Sequence, residues 1–221
     1  MMNHTEIEQR IEEACRNYGF DKSWRLWYHP RAWAEERRPL VLGIHPAAGG
    51  NWRFHGRYSQ ERGSAFLVED WGAHSKVQGP IPEYLRIARL SLNGVTYANW
   101  APFRASGEKE LRQHRWSDLQ KWCRELWREL LPQLKPRLIL CVGAIPREGM
   151  RELLGSPDMS GGEDVQGIKG AHCSFRIDRY ERKRLSVVSV PPPSQWIDPL
   201  NDPHVTPVLE RYLGAIAGVV A

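Results

Sequence analysis

Apolar residues Ile7, Ile11, Ala14 and Tyr18 recur at helical spacing near the start of the chain. Thr5-x-x-Glu8 reads as the capping box in front of them and Gly19 as the stop, so a helix is expected over 4–19. Residues 39–44 (PLVLGI) change the period, and this short apolar run after Pro39 predicts a buried strand. The stretch 45–63, rich in Gly, His and aromatics, predicts a loop. Helices are expected over 64–71 and from Pro82 to about Ser91, the second carrying Tyr84, Leu85, Ile87, Ala88 and Leu90. Asn93-Gly94 marks a turn, and residues 95–100 (VTYANW) predict the second strand. Ser117-x-x-Gln120 reads as the cap of a long helix with Leu119, Trp122, Cys123, Leu126 and Leu130 on its face. Residues 137–143 (RLILCVG) predict the third strand, 146–154 a helix, and 155–170 a Gly-rich, acidic loop. The segments 172–177 and 185–190 flank a charged turn and predict a hairpin, after which a helix runs from about Pro203 to Ala217.

Strands alternating with helices predict an α/β fold: three layers, α/β/α, around a mostly parallel sheet. No internal repeat or linker divides the 221 residues, so one domain is expected over 1–221, with the first helix packed on it. Neither G-x-G-x-x-G nor G-x-x-x-x-G-K follows the first strand, which argues against a dinucleotide or P-loop site. No apolar run approaches the ~18 residues of a membrane span, and the polar, acidic N-terminus does not read as a secretory signal. Cys15, Cys123, Cys141 and Cys173 form no C-x-x-C pair. They are read as reduced thiols of a cytoplasmic, monomeric protein with no structural metal.

Charge adds one point. Lys+Arg exceeds Asp+Glu by 31 to 26, a net charge of +5 that is compatible with a nucleic-acid partner. Of the ten tryptophans, Trp24, Trp27, Trp33, Trp122 and Trp127 fall where packing wants them. Trp52, Trp100 and Trp196 fall in loop-like segments, either as packing residues or as surfaces on which bases stack.

Ligands of open α/β sheets bind beyond the carboxyl ends of the strands. That rule selects 45–50 (HPAAGG), 99–102 (NWAP), 144–146 (AIP) and 191–198. They offer an imidazole that can accept a proton near neutral pH, an amide that reads a planar edge, a hydroxyl and several aromatics. Such a set suits a planar heterocycle better than phosphoryl transfer, which wants metal carboxylates or a phosphate-cradling loop.

In these segments the chain resembles the uracil-DNA glycosylase superfamily. Gly43-Ile44-His45-Pro46 is similar to its first motif, a Gly-x-Asn/Asp-Pro turn after the first strand. Asn99 matches the asparagine that reads the pyrimidine edge. Residues 135–146 (KPRLILCVGAIP) resemble the third-strand segment, and Pro192-Pro193-Ser194-Gln195-Trp196 the second motif. The resemblance covers roughly residues 38–200 and implies a glycosylase-like fold, a DNA partner with a flipped base, duplex or single-stranded, and no metal or organic cofactor. It also implies a base pocket of Gly43, Ile44, Ala47 and Asn99, floored by Phe54 or Tyr58 with Trp52 a third candidate. Ser194 would bond a DNA phosphate in a turn shared with Pro193 and Gln195, and Trp196 would stand where the family has its intercalating wedge. Arg53, Arg57, Arg104 and Lys76 are loop cations that either line the groove or are simply solvated.

Three departures shape the expected chemistry. His45 replaces the Asp or Asn that holds the attacking water; it either handles that water or caps the turn. Pro192 replaces a His or Asn and cannot donate to the leaving base, leaving backbone N–H groups or His204 to do so. Ala47 replaces a crowding tyrosine, which opens the C5 side of the pyrimidine or merely permits a tight turn. The resemblance includes a phage-defence glycosylase acting on glucosylated hydroxymethylcytosine. The function expected is therefore a monofunctional DNA glycosylase that hydrolyses the N-glycosidic bond of uracil or, by preference, a C5-modified pyrimidine. Catalysis is assigned to His45 and Asn99. The alternative is a catalytically degenerate relative that binds DNA or a nucleotide without cleavage.

Overall fold

The structure, a computed structural model, describes residues 3–20, 24–30, 32, 34, 37–46, 63–69, 79–193 and 198–220. Six strands form one open sheet: β1 (Leu40–Gly43), β2 (Thr96–Asn99), β3 (Leu138–Val142), β4 (Met159–Gln166), β5 (His172–Tyr180) and β6 (Leu185–Val190). Their order is β2-β1-β3-β6-β5-β4, with β2, β1, β3 and β6 parallel and β5 and β4 added antiparallel. The protein is thus α/β, with a mixed, mostly parallel sheet.

Strand periodicity builds two cores. Leu40, Leu42, Ala98, Ile139, Cys141 and Val187 face α1 (His4–Tyr18), α5 (Trp116–Leu134) and α6 (Ala144–Leu154). Val41, Tyr97, Leu140 and Val188 face the other way, toward α2 (Ala65–Val68), α3 (Pro80–Ile87) and α7 (Thr206–Val220). The register pairs like with like, Leu42 beside Cys141 and Ala98, Val41 beside Leu140 and Tyr97. All four parallel strands are buried along their whole length, as helices on both sides of a parallel sheet require.

Several expected boundaries move. Helix α1 is capped by Asn3, whose side chain accepts from the Glu6 amide and donates to the Glu6 carboxylate, so the cap lies two residues before Thr5. Helix α2 is one turn within the expected 64–71. Helix α3 begins at Pro80, whose missing N–H costs nothing in a first turn, and stops at Ile87. Helix α5 begins at Trp116 after Arg115 in a left-handed conformation, so Ser117 is inside the helix rather than its cap. Helix α7 begins at Thr206 after a turn in which Asp202 accepts from the His204 and Val205 amides.

Two elements were hidden. Helix α4 (Glu108–Gln113) buries only Leu111, too little for a periodic signal. The acidic, glycine-rich stretch expected as a loop holds β4, the edge strand paired with β5 from Met159↔Arg179 to Gln166↔His172. It is exposed along most of its length, so no apolar alternation marks it; its backbone ladder does the specifying. The other edge of the hairpin is as expected, β5 and β6 being antiparallel around a 3-10 turn at 181–183.

The tryptophans packed against α5 set a sharp steric constraint. Trp100 is fully buried, stacked on Trp127 at 6.5 Å and 7°, and donates to Gln120. It is therefore core and not a stacking surface. A Cβ on Gly149 of α6 would lie 2.2 Å from its indole. Gly149→Ala is expected to cost about 1–3 kcal/mol despite the better helix propensity of alanine, read as a lowered urea midpoint; a neutral or stabilised variant would show that this contact is soft.

Candidate functional site

The parallel pairing brings Gly43-Ile44-His45-Pro46 and Asn99 together. Gly43 is in register with Asn99, and the ladder continues past both strands, with Trp100 donating to the Gly43 carbonyl and Ala101 to that of Ile44. Ala105 donates to Pro46, so the 99–105 segment runs alongside Gly43-Ile44-His45-Pro46. On the other side of β1, the amide of Gly143, just past β3, donates to Val190 at the end of β6. Gly143 has a φ of 111°, and a Cβ there would meet Ile44 at 3.0 Å and Pro192 at 3.8 Å. Conformation and space both call for glycine here. The ends of β1, β2, β3 and β6 thus meet at one edge, where Tyr84 also ties down the Pro191 carbonyl through its hydroxyl.

His45 is half-buried, and its Nδ1 lies 2.9 Å from the Pro46 carbonyl. A carbonyl only accepts, so Nδ1 carries the proton, and Nε2 keeps its lone pair as an acceptor. Burial pushes the imidazole pKa below its ordinary value of 6.5; the Pro46 carbonyl, Glu108 and Glu110 oppose that shift without reversing it. The ring is neutral at pH 7. Its chemistry is therefore that of a weak base or a water acceptor.

Asn99 is 2% exposed and its amide is already engaged. Nδ2 donates to the Arg25 carbonyl at 3.3 Å and to the Tyr28 hydroxyl at 3.1 Å. The Arg25 partner can only accept, which fixes the orientation of the amide. Oδ1 is turned toward Gly43, where a Cβ would come within 2.9 Å of it and 2.8 Å of the Tyr97 hydroxyl. Both amide protons being used inside the protein, Asn99 can offer a ligand only the acceptor Oδ1 in this conformation. Gly43 is accordingly a packing requirement of Asn99 and Tyr97.

Behind Asn99 stands a buried polar cluster that the sequence did not announce. Arg25 and Glu69 form a two-pronged ion pair at 2.7 and 2.6 Å, with side chains 0% and 4% exposed. The Arg25 guanidinium also donates to the Trp27 carbonyl and lies 4.5 Å above the Tyr28 ring. Arg104, one of the expected groove cations, belongs to this cluster instead. It is 4% exposed, and burial, with the nearby charge of Arg25, lowers its pKa against the opposing influence of Tyr28 and Glu69. The only sequence signal was indirect, a cation two residues before Trp27 in an otherwise apolar segment.

Of the other expected site residues, Ile44 is half-buried beside Gly143, and Pro193 is half-buried beyond Pro192. His204 is exposed in the turn before α7 and takes part in the Asp202 cap. Ala47, Trp52, Phe54, Tyr58, Ser194, Gln195 and Trp196 lie outside the described residues, as do Arg53, Arg57 and Lys76. Among the described residues no three His, Cys, Asp or Glu side chains group as metal ligands, and no helix is long and apolar enough to cross a membrane. All four cysteines are free and buried, and burial raises each thiol pKa, that of Cys15 to about 12.

No protein-family model matches the chain, and comparison with curated proteins finds no relative.

Proposed function

We propose that this chain is a divergent member of the uracil-DNA glycosylase superfamily that excises a pyrimidine enlarged at C5. The observation that carries the reading is the meeting of Gly43-Ile44-His45-Pro46, Asn99 and Pro191-Pro192 at one edge of the sheet, with a neutral imidazole presenting Nε2 as an acceptor. His45 would hold the attacking water, and Oδ1 of Asn99 would accept the N3–H of a uracil-type base or the exocyclic amino group of a cytosine-type base. Bond cleavage would pass through an oxocarbenium-like sugar, with negative charge developing on the leaving base. Pro192 has no N–H to meet that charge, so binding energy from a C5 substituent would have to assist the chemical step.

A second reading rests on the engaged amide of Asn99 and the missing donor at Pro192: a protein that binds a flipped base without releasing it. One assay separates the two. Oligonucleotides carrying uracil, 5-hydroxymethylcytosine or its glucosylated form are incubated with the protein, and abasic sites are then cleaved with alkali. Strand breaks at the glucosylated base in excess of those at uracil are expected. Tight binding without breaks would establish the second reading, and robust cleavage at uracil alone would overturn the substrate preference.

A further inference from the structure

A pocket of about 760 Å³ opens at the amino-terminal end of the sheet, away from the site above. Its walls come from the chain entering β1, β3 and β6 and from the ends of α5 and α6. Among the described residues six cations line it, namely Arg37, Arg128, Lys135, Arg137, Lys183 and Arg184, and no Asp or Glu does. Capping the helix ends accounts for little of this charge. Lys183 donates to the Leu154 carbonyl at the end of α6, but the other five side chains make no hydrogen bond or ion pair with any described residue. The carboxyl ends of two helices contribute only about −0.5 charge each against six formal positives. Lys135 and Arg184 also hold φ of 45° and 49°, two of the four non-glycine positive values among the described residues. Like charges gathered on strained backbone oppose the fold until an anion neutralises them.

The floor narrows the ligand class. Leu131, Leu138, Leu153, Leu154 and Leu185, with three prolines, form it, and among the described residues no aromatic ring lines the pocket. A nucleobase would find no stacking partner there. The volume falls within the range of small-molecule sites. We propose that this pocket binds a small amphiphilic anion, a phosphate or carboxylate headgroup held by the arginine and lysine rim with an aliphatic chain laid on the leucines. The proposal is independent of the glycosylase reading, because its test measures binding and not excision.

Titration calorimetry with dodecyl phosphate, kept below its micelle concentration, is the test. One saturable site is expected, binding at least 100-fold more tightly than inorganic phosphate. The double variant Arg128→Glu/Arg137→Glu, both positions being exposed, is expected to weaken binding at least 100-fold while leaving the melting temperature of the ligand-free protein at or above that of the parent, since it relieves the like-charge repulsion. Lys121→Glu, an exposed position on α5 that does not line the pocket, is expected to change affinity less than threefold. The proposal is overturned if dodecyl phosphate does not saturate, if inorganic phosphate binds equally well, or if Lys121→Glu weakens binding as much as the double variant. It is also overturned if the protein binds only phosphatidylglycerol vesicles, which would make this a membrane-facing surface, or if a short acidic peptide alone occupies it.

Discussion

Glu69→Ala is expected to cost about 3–5 kcal/mol of folding stability, the range found when one partner of a buried ion pair is removed. Against a typical total of about 5–15 kcal/mol for a domain, that leaves a marginally folded protein. Both side chains are buried, so bulk solvent does little to screen the charge left behind. Arg25 would keep its charge beneath the protein surface with buried Arg104 as a neighbour. Removing both charges as Arg25→Met/Glu69→Leu is expected to recover part of the loss, because the uncompensated cation is what costs most. Urea unfolding followed by tryptophan fluorescence checks both variants. A loss below about 1 kcal/mol for Glu69→Ala would mean that the cluster is wetter or more adaptable than its geometry implies. The same variant bears on the site. Arg25 supplies the carbonyl that holds Asn99 and lies against the Tyr28 ring, so loosening Arg25 should free the amide as well.

His45→Ala is expected to lower base excision by about 10²–10⁴-fold, the usual contribution of a positioned proton-transfer group, with DNA affinity changed little. His45→Asn restores the amide of the resembled Gly-x-Asn-Pro turn, and it is expected to retain more activity than the alanine variant. The pH profile adds a test that a merely structural role would not pass. In the proposed mechanism the active form is the neutral ring, and burial favours that form by lowering the pKa below 6.5. Activity should therefore hold as pH falls through 6.5 and decline only at lower pH, where the ring takes up its proton. A decline centred at or above 6.5 would contradict the assigned environment of His45. Equal activity of His45→Ala and the parent would remove the imidazole from the mechanism.

The strands carrying the site were legible because a parallel sheet covered on both faces leaves continuous apolar runs. PLVLGI, VTYANW and RLILCVG each became a strand within a residue or two of expectation. The placement of Gly43, His45 and Asn99 followed from those strands, since each lies at a strand end. Segments whose structure depends on backbone pairing or on one buried side chain were not legible. The edge strand β4 carries Gly161 and Gly162 and almost no buried apolar residue, and α4 rests on Leu111.

The sequence by itself determined the α/β class, the central strands and which side chains end them, because hydrophobic periodicity is a local property written residue by residue. Only the tertiary structure decided which polar groups those side chains meet. That Asn99 gives both amide protons to Arg25 and Tyr28, and that Arg104 is buried rather than lining a groove, depends on contacts across tens of residues. The same is true of the six cations brought around the pocket at the amino-terminal end of the sheet. Desolvation and hydrogen-bond commitment set the chemistry of a polar side chain, and both are properties of the packed neighbourhood that no spacing along the chain encodes.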